Sequence, residues 1–404
     1  MGSPVATDDL VMLDITDPAL DPNGPEIRAA RAAHWCARTP MGLAVLRHDK
    51  LTMLLGDRRL VQGSHRILTA QGLTTGPLVE WMNTMILSME GDDHLRVRRL
   101  VSRAFTPRAV TALRPRMREI AHELVDGFPA GGGGTVEFMA AFADPFPARV
   151  ICELLGVPPD LQETVRGWAN DLGLAFSYTA AANLERIEAA LAPVFAATDR
   201  LLAARRAAPA DDLLSALLAA EADGDRLSPD ELRSIVASLL FAGQDTTRHQ
   251  LGLALALFLR HPDQWALLAA RPELAGGAVE EVVRVAPTTP VTGRIAVEDL
   301  EVDGVPIPAG THLTMLLAAG NSDPALFVDP YGFDITQSRP APLTFGPGLH
   351  YCLGASLARA EMAEALPILA RRLGPIAPGG GARWRPAFGI TGPVTLPLRC
   401  GPPR

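Results

Sequence analysis

The feature that most narrows the fold of this 404-residue chain is a single helix in its middle. Ser228-Pro229-Asp230-Glu231 supplies an N-cap serine, a proline at the first helical position and a glutamate at the reciprocal capping position, and no breaker follows until His261-Pro262. About 32 residues at 1.5 Å each make a rod of roughly 48 Å. Ile235-Val236-Ala237-Ser238-Leu239-Leu240-Phe241 before its centre and Leu253-Ala254-Leu255-Ala256-Leu257-Phe258-Leu259 after it require burial through much of that length. Most of the remaining chain is helical too, with apolar spacings of three and four at Pro25 to Arg38, Leu95 to Ala104, Pro107 to Phe128, Pro145 to Leu155, Asp160 to Leu174, Ala182 to Ala207, Asp211 to Ala222 and Ala355 to Leu373. Strand-like alternation is confined to Gly42 to Arg47, Val291 to Ile307 with an Asp303-Gly304 turn, Thr311 to Ala318 and the C-terminal stretch.

Composition removes several classes of function. Hydrophobic residues make up 48% and charged residues 20% of the chain, which excludes wholesale disorder. A net charge of -8 has the wrong sign for a protein that binds a phosphate backbone, so no nucleic-acid partner is expected. Met1 to Asp21 carries no basic segment followed by an apolar one, and no window of 18 apolar residues occurs, so the chain is expected to be cytoplasmic with no membrane partner. The Gly131 to Gly134 run serves equally as a loop or a linker, and with no convincing boundary the chain is expected to form a single domain over residues 1–404. Cys36, Cys152, Cys352 and Cys400 are far apart, with no CxxC pair, as in a reduced compartment.

The long helix contradicts itself at its centre, Ala242-Gly243-Gln244-Asp245-Thr246-Thr247. A mid-helix glycine costs about 1 kcal/mol against alanine, and a buried acid with two β-branched hydroxyl residues adds to that. Either this is a kinked core helix with a satisfied Asp-Thr pair, or the site is functional, with Gly243 admitting something flat and Thr246 bonding back to a carbonyl.

A second feature decides between these. Phe345-Gly346-Pro347-Gly348-Leu349-His350-Tyr351-Cys352-Leu353-Gly354 is a glycine-punctuated loop that delivers Cys352 to the start of the helix Ala355 to Leu373. There the helix dipole and free N–H groups favour a thiolate, as a metal ligand needs, and glycines at 346, 348 and 354 let the backbone close around the sulfur. The other three cysteines read as small buried hydrophobes.

The decapeptide resembles the heme-binding signature of the cytochrome P450 family, F-G-x-G-x-H-x-C-x-G, at all six fixed positions. Ala242 to Thr247 resembles that family's oxygen-activation motif, Glu281-Val282-Val283-Arg284 its E-x-x-R motif, and His94-Leu95-Arg96-Val97-Arg98 its propionate-binding H-x-x-x-R, in the family's order. The resemblance implies a mainly α, helix-rich triangular domain with a long central helix and small β-sheets. It implies heme b (iron protoporphyrin IX) with Cys352 as the axial iron ligand, cofactor contacts from Ala242, Gly243, Phe345, Gly346 and Gly354, and propionate partners in His94, Arg98, Arg294 and His350. Asp245 and Thr246 would serve catalysis as proton carrier and water-ordering hydroxyl, and Glu281 with Arg284 would hold the Cys352 loop. Asn321-Ser322-Asp323-Pro324 and Phe333-Asp334 resemble the segment before that loop. Gly91-Asp92-Asp93 departs from the family's Asp-Pro-rich turn, leaving Asp92 or Asp93 as the expected N-cap.

The activity so implied is monooxygenation: one oxygen atom from O2 inserted into a C–H bond or across a C=C bond, with electrons from NAD(P)H through a ferredoxin reductase and ferredoxin. Arginines at 96, 98, 99, 103, 108, 114, 116 and 118, with no acid from His94 to Arg118, suggest a docking face for that acidic partner. Specificity would come from Val61 to Ser88, Asn170 to Ala190, Leu239 to Gly243, Pro290 to Thr292 and Phe388 to Thr391, with Leu87, Leu239, Val291, Thr292 and Ile390 as pocket candidates. Their apolar composition with scattered Thr, Asn and Gln suits a small, mostly hydrophobic substrate such as a polyketide, macrolide or terpenoid secondary metabolite. Two alternatives remain at this stage: a catalytically silent relative that stabilises a partner enzyme, and an oxidant redirected to oxidative coupling.

Overall fold

The computed structural model describes residues 9–17, 19–63, 66–128, 134–177, 179–222 and 225–402. The Gly131 to Gly134 run falls outside them except for Gly134, as do the first eight residues of the N-terminal lead-in. Eight helices carry the architecture: α1 (Gly91–Ala104), α2 (Pro107–Asp126), α3 (Pro145–Leu155), α4 (Pro159–Leu172), α5 (Leu184–Ala207), α6 (Pro229–Arg260), α7 (Ala275–Val285) and α8 (Ala355–Leu373). Local chemistry sets their ends. Thr106 accepts from Ala109 N–H at 3.2 Å to start α2, and Gly156, at φ 64°, ends α3 in a left-handed turn that a side chain would strain.

α6 runs 32 residues without a break, and Ser228 and Glu231 form the reciprocal cap. Helices pack on it from several sides, α3, α4 and α5 among them, which is why nineteen of its residues are buried. α8 lies along α2 and α7. Around α6 and α8 one apolar cluster spans most of the helical body, including the stacked rings of Phe138, Phe142 and Phe146.

The strands form small sheets. Five of them, β1 (Cys36–Thr39), β2 (Gly42–Val45), β3 (Leu60–Gln62), β4 (Val291–Ala296) and β5 (His312–Leu316), stand in the order β1-β2-β5-β4-β3. β2 and β5 are parallel, with His312 opposite Gly42, and the other pairs are antiparallel. One expectation is corrected here. The helix beginning at Pro25 stops at Ala33, because Cys36 to Thr39 pair with β2, and Val61 to Ser88 contains two short helices, Arg66–Thr69 and Pro77–Thr84. A two-stranded hairpin, β6 (Arg383–Trp384) with β7 (Pro393–Thr395), closes against α6.

Candidate active site

Between α6 and the Cys352 loop lies a cavity of about 460 Å³ whose wall is largely apolar. The sequence-predicted pocket residues Leu87, Leu239, Val291, Thr292 and Ile390 all line it. Each specificity segment contributes: Gly63, Ile67, Met85 and Ile86 from the first, Phe176 from the second, Phe241 from α6, Gly389 from the C-terminal stretch. Phe176 stacks on Phe241 with centroids 4.8 Å apart, and Trp81 meets Phe241 edge-on at 6.4 Å.

The Cys352 loop is held from several directions. Cys352 N–H donates to Phe345 O at 2.8 Å, and Gly346 and Gly348 turn at φ 68° and 80°, where a Cβ would be strained. Gly346 does not line the cavity, so its part is the turn. Gly354 takes no left-handed turn and caps α8 at φ -84°. The thiol faces the cavity at the N-terminus of α8, and the N–H groups of Gly354 and Ala355 donate towards it. Its enclosure by the surrounding protein pushes the thiol pKa up, against those two bonds and the charges of Arg98 and Arg359, while the side chain stays open to the cavity.

Behind the loop, Glu281 and Arg284 form a buried two-pronged ion pair at 2.7 and 2.8 Å. Arg284 also donates to the carbonyls of Asn321, Pro330 and Gly332. Asn321 passes the restraint on: its side chain accepts from Leu343 N–H at 2.6 Å and donates to Thr344 Oγ1 at 2.9 Å, and Thr344 donates to Val283 O. The pair thus fixes the residues immediately before Phe345.

At one end of the cavity the candidate propionate partners gather. His94 and His350 lie ring against ring at a tilt of 33°, 4.4 Å between centroids, and both line the cavity with Arg98. Arg98 donates to Tyr351 O at 2.7 Å. His94 is pushed down to about 4, chiefly by burial and then by His350 and Arg98, so it is a neutral donor and not a cation; its Nδ1 has no partner. Arg294, expected beside these groups, does not line the cavity and bonds Gln62 Oε1 at 3.2 Å and Gly293 O at 2.8 Å. Glu90 was not anticipated. It stands at the N-cap of α1, accepts from Gln62 N–H and lies 3.3 Å from His350 Nε2, while Asp92 and Asp93, the expected caps, fall inside the first turn.

A flat tetrapyrrole with carboxylates at one edge fits this arrangement on three observations. The Cys352 thiol faces the space, a Cβ added at Gly354 would meet no atom within 4 Å, and the buried His94 Nδ1 lacks a partner at the end where Arg98 and His350 collect.

The centre of α6 separates its two expected catalytic residues. Thr246 lines the cavity with Ala242 and Gly243, and its hydroxyl donates to Ala242 O at 2.9 Å. Asp245 is fully buried on the other side of the helix, paired with Arg248 and with Arg385 at 2.9 Å, and the two guanidinium groups hold its carboxyl below the usual range although burial alone would raise it. Gly243, besides lining the cavity, serves the close approach of α3: a Cβ there would come within 2.9 Å of Ile151 Cδ1.

The arginine run is less free than its sequence implies. Arg96 pairs with Asp225 and Glu231, Arg114 and Arg118 share Glu364, and Arg116 meets Glu119, Glu123 and Glu153. Acids elsewhere in the chain answer these cations, and Arg99, Arg103, Arg108 and Arg118 are the exposed members of the run. Sequence reasoning also missed Glu361, buried on α8, and Arg385. An acid placed on the apolar face of the Ala355 to Leu373 helix is the signal that could have marked the first. None marks the second.

Comparison with known proteins gives one answer. The family model described as "Cytochrome P450" matches residues 174–270 and 271–374. Luteothin monooxygenase of Streptomyces thioluteus is 43% identical over 97% of both chains, and the mycinamicin IV hydroxylase/epoxidase of Micromonospora griseorubida is 39% identical over 88% of both. Among solved structures, cytochrome P450 CYP109Q5 from Chondromyces apiculatus superposes with a TM-score of 0.86 at 34% identity, covering 97% of this chain and 98% of that one.

Proposed function

The chain belongs to the cytochrome P450 family of heme monooxygenases, and we propose that it oxygenates a mostly apolar secondary metabolite, with Cys352 as the axial iron ligand. The observation that carries this reading is the Cys352 thiol, facing a largely apolar cavity beneath Thr246 with the N–H groups of Gly354 and Ala355 donating towards it. When bound, heme supplies dioxygen binding and oxygen-atom transfer, which thiolate ligation favours.

The chain's own residues supply the rest. Arg98, His94 and His350 are placed to receive the carboxylate edge of the cofactor as hydrogen-bond donors. The Thr246 hydroxyl, now satisfied by Ala242 O, can turn to order a water in the cavity, and Asp245 relays protons from the far side of α6. For the relay to operate Asp245 must leave its arginine partners, since it reaches no cavity surface in this state. Met85, Ile86, Leu87, Leu239 and Ile390 exclude water and grip apolar substrate, and Thr292 offers it a hydroxyl.

Relatives that act on luteothin and mycinamicin IV support a polyketide- or macrolide-like substrate here. Exposed Arg99, Arg103 and Arg108 suit an acidic electron carrier of the ferredoxin type, fed by a ferredoxin reductase. Among the described residues no helix is long and apolar enough to cross a membrane, consistent with work in the cytoplasm as one heme-thiolate domain.

Absorption spectroscopy of the purified protein tests the reading. A low-spin heme-thiolate spectrum that shifts toward high spin with luteothin or mycinamicin IV is expected, and Cys352→Ser should lose the thiolate signature. A protein that binds no heme would sink the proposal and favour a silent partner role. Products joined through a new ring or aryl bond would redirect it to oxidative coupling.

A further inference from the structure

We propose that Arg385 is a positioning residue that ties the Asp245 carboxylate to the wall of the substrate cavity. The inference rests on the reading of Asp245 as a proton relay and names the device that controls it.

Arg385 grips Asp245 with two prongs, Nη1 to Oδ2 at 2.9 Å and Nη2 to Oδ1 at 3.3 Å. The other cation on Asp245, Arg248, also serves Asp144 at 3.1 Å and Asn170, whereas Arg385 pairs with no second acid among the described residues. His249, 3.7 Å from Asp245, meets Pro393 O at 3.1 Å, so α6 is tied to the hairpin at two neighbouring points.

Arg385 stands at the base of the loop that joins β6 to β7, where its N–H donates to Gly392 O at 2.9 Å. The tip of the same loop is cavity wall, formed by Gly389 and Ile390. Thr391 N–H donates to Thr288 O at 2.8 Å, and Thr288, itself on the cavity, returns its hydroxyl to Thr391 O at 2.7 Å. Gly389, at φ 94°, lies so close to Phe176 that a Cβ would come within 2.9 Å of its carbonyl oxygen. At the other end of that segment a Cβ on Gly173 would come within 2.9 Å of the Asp245 carboxyl carbon. Two pieces of cavity wall, residues 173–176 and 385–392, therefore converge on one buried carboxylate.

A loop closed by hydrogen bonds at its base moves as a unit, because bending it would leave buried backbone groups unpaired. A molecule pressing on Ile390 shifts the loop, shifts Arg385, and loosens Asp245 when the cavity is filled. A proton then enters on the carboxyl from the solvent side and leaves toward Thr246, and Asp245 ends as it began.

The test uses the heme-loaded protein and 4-phenylimidazole, an iron-ligating probe that fills the cavity. In the wild type, hydrogen exchange should change at the tip and at the amide of Arg385 together. In Arg385→Met the change should stay at the tip, and in Arg385→Lys it should be partly transmitted. A wild-type response confined to residues 389–391 overturns the proposal. A second arm measures the fraction of electrons recovered in product with luteothin or mycinamicin IV. Arg385→Met should lower it several-fold and alter the solvent deuterium isotope effect while the ferric spectrum stays intact, and Ile390→Ala should add little in that background. Wild-type coupling in Arg385→Met, or in Arg385→Lys if the first variant loses heme, removes Arg385 from the mechanism. If Asp245→Asn lowers coupling and the Arg385 variants do not, this inference alone fails; if Asp245→Asn also has no effect, the relay reading fails with it.

Discussion

Glu361 sits on α8 with no exposed surface, and neither carboxyl oxygen meets a hydrogen-bond donor at bonding geometry. Burial drives its pKa well above the usual carboxylate range, against a weaker pull from the Thr247 hydroxyl. The unfolded chain releases that proton near pH 4.5, and stability must therefore fall as pH rises above that value, by up to about 1.4 kcal/mol per pH unit until the folded form titrates. Glu361→Gln should flatten this alkaline limb, with the variant gaining on the wild type in urea midpoint between pH 5 and pH 8; parallel curves would mean that the acid is ionised in the fold. His249 carries the opposite dependence. Burial pushes it down to about 3, against an unfolded value of 6.5, so its contribution is complete above pH 6.5 and is lost as pH falls toward 3. His249→Asn should remove part of the acid limb and leave the alkaline one.

At the scale of elements, helix ends were well specified where capping residues or prolines stood next to the periodic run. Pro145–Leu155 and Ala355–Leu373 form with the bounds read from sequence, and the capping box of α6 is present. Ser228→Ala should cost about 1 kcal/mol in unfolding free energy, with the heme spectrum unchanged, because the cap lies five turns from the cavity-lining Thr246 and satisfies only the first turn. Strand boundaries were less legible. Cys36 to Arg38 continue a helical pattern, yet they pair with β2, whose other neighbour, β5, comes from residues 312–316 far along the chain. No local window contains that information. The same reason hides Asp225, Glu231 and Glu364 as the partners of an arginine run that looks unopposed in sequence.

At the scale of the whole molecule, the surface proposed for an electron carrier carries the exposed Arg99, Arg103 and Arg108. Arg99→Glu or Arg103→Glu should slow reduction by a ferredoxin about tenfold at low ionic strength, with the difference shrinking as salt is added. Arg108→Glu should act in the same direction. Substrate titrations should give unchanged affinity, since these side chains do not line the cavity. An equal loss at high and low salt would place the effect in folding and not in docking. The apolar cavity, walled by segments from many parts of the chain, is the other whole-molecule property.

By itself the sequence determined the long buried helix, the helix caps, the Cys352 loop with its family signature, and the residue types that meet at the cavity. These are local properties, set by periodicity, capping chemistry and backbone freedom over ten to thirty neighbouring residues. Only the tertiary structure decided which way each group points and what answers it: Asp245 away from the cavity and gripped by Arg385, Arg294 behind its wall, Glu90 beside His350, Gly243 against Ile151. Charges and close approaches of this kind are settled by residues more than a hundred positions apart in most of these pairs, and burial makes each pairing obligatory, since an unanswered charge in the interior costs far more than an exposed one.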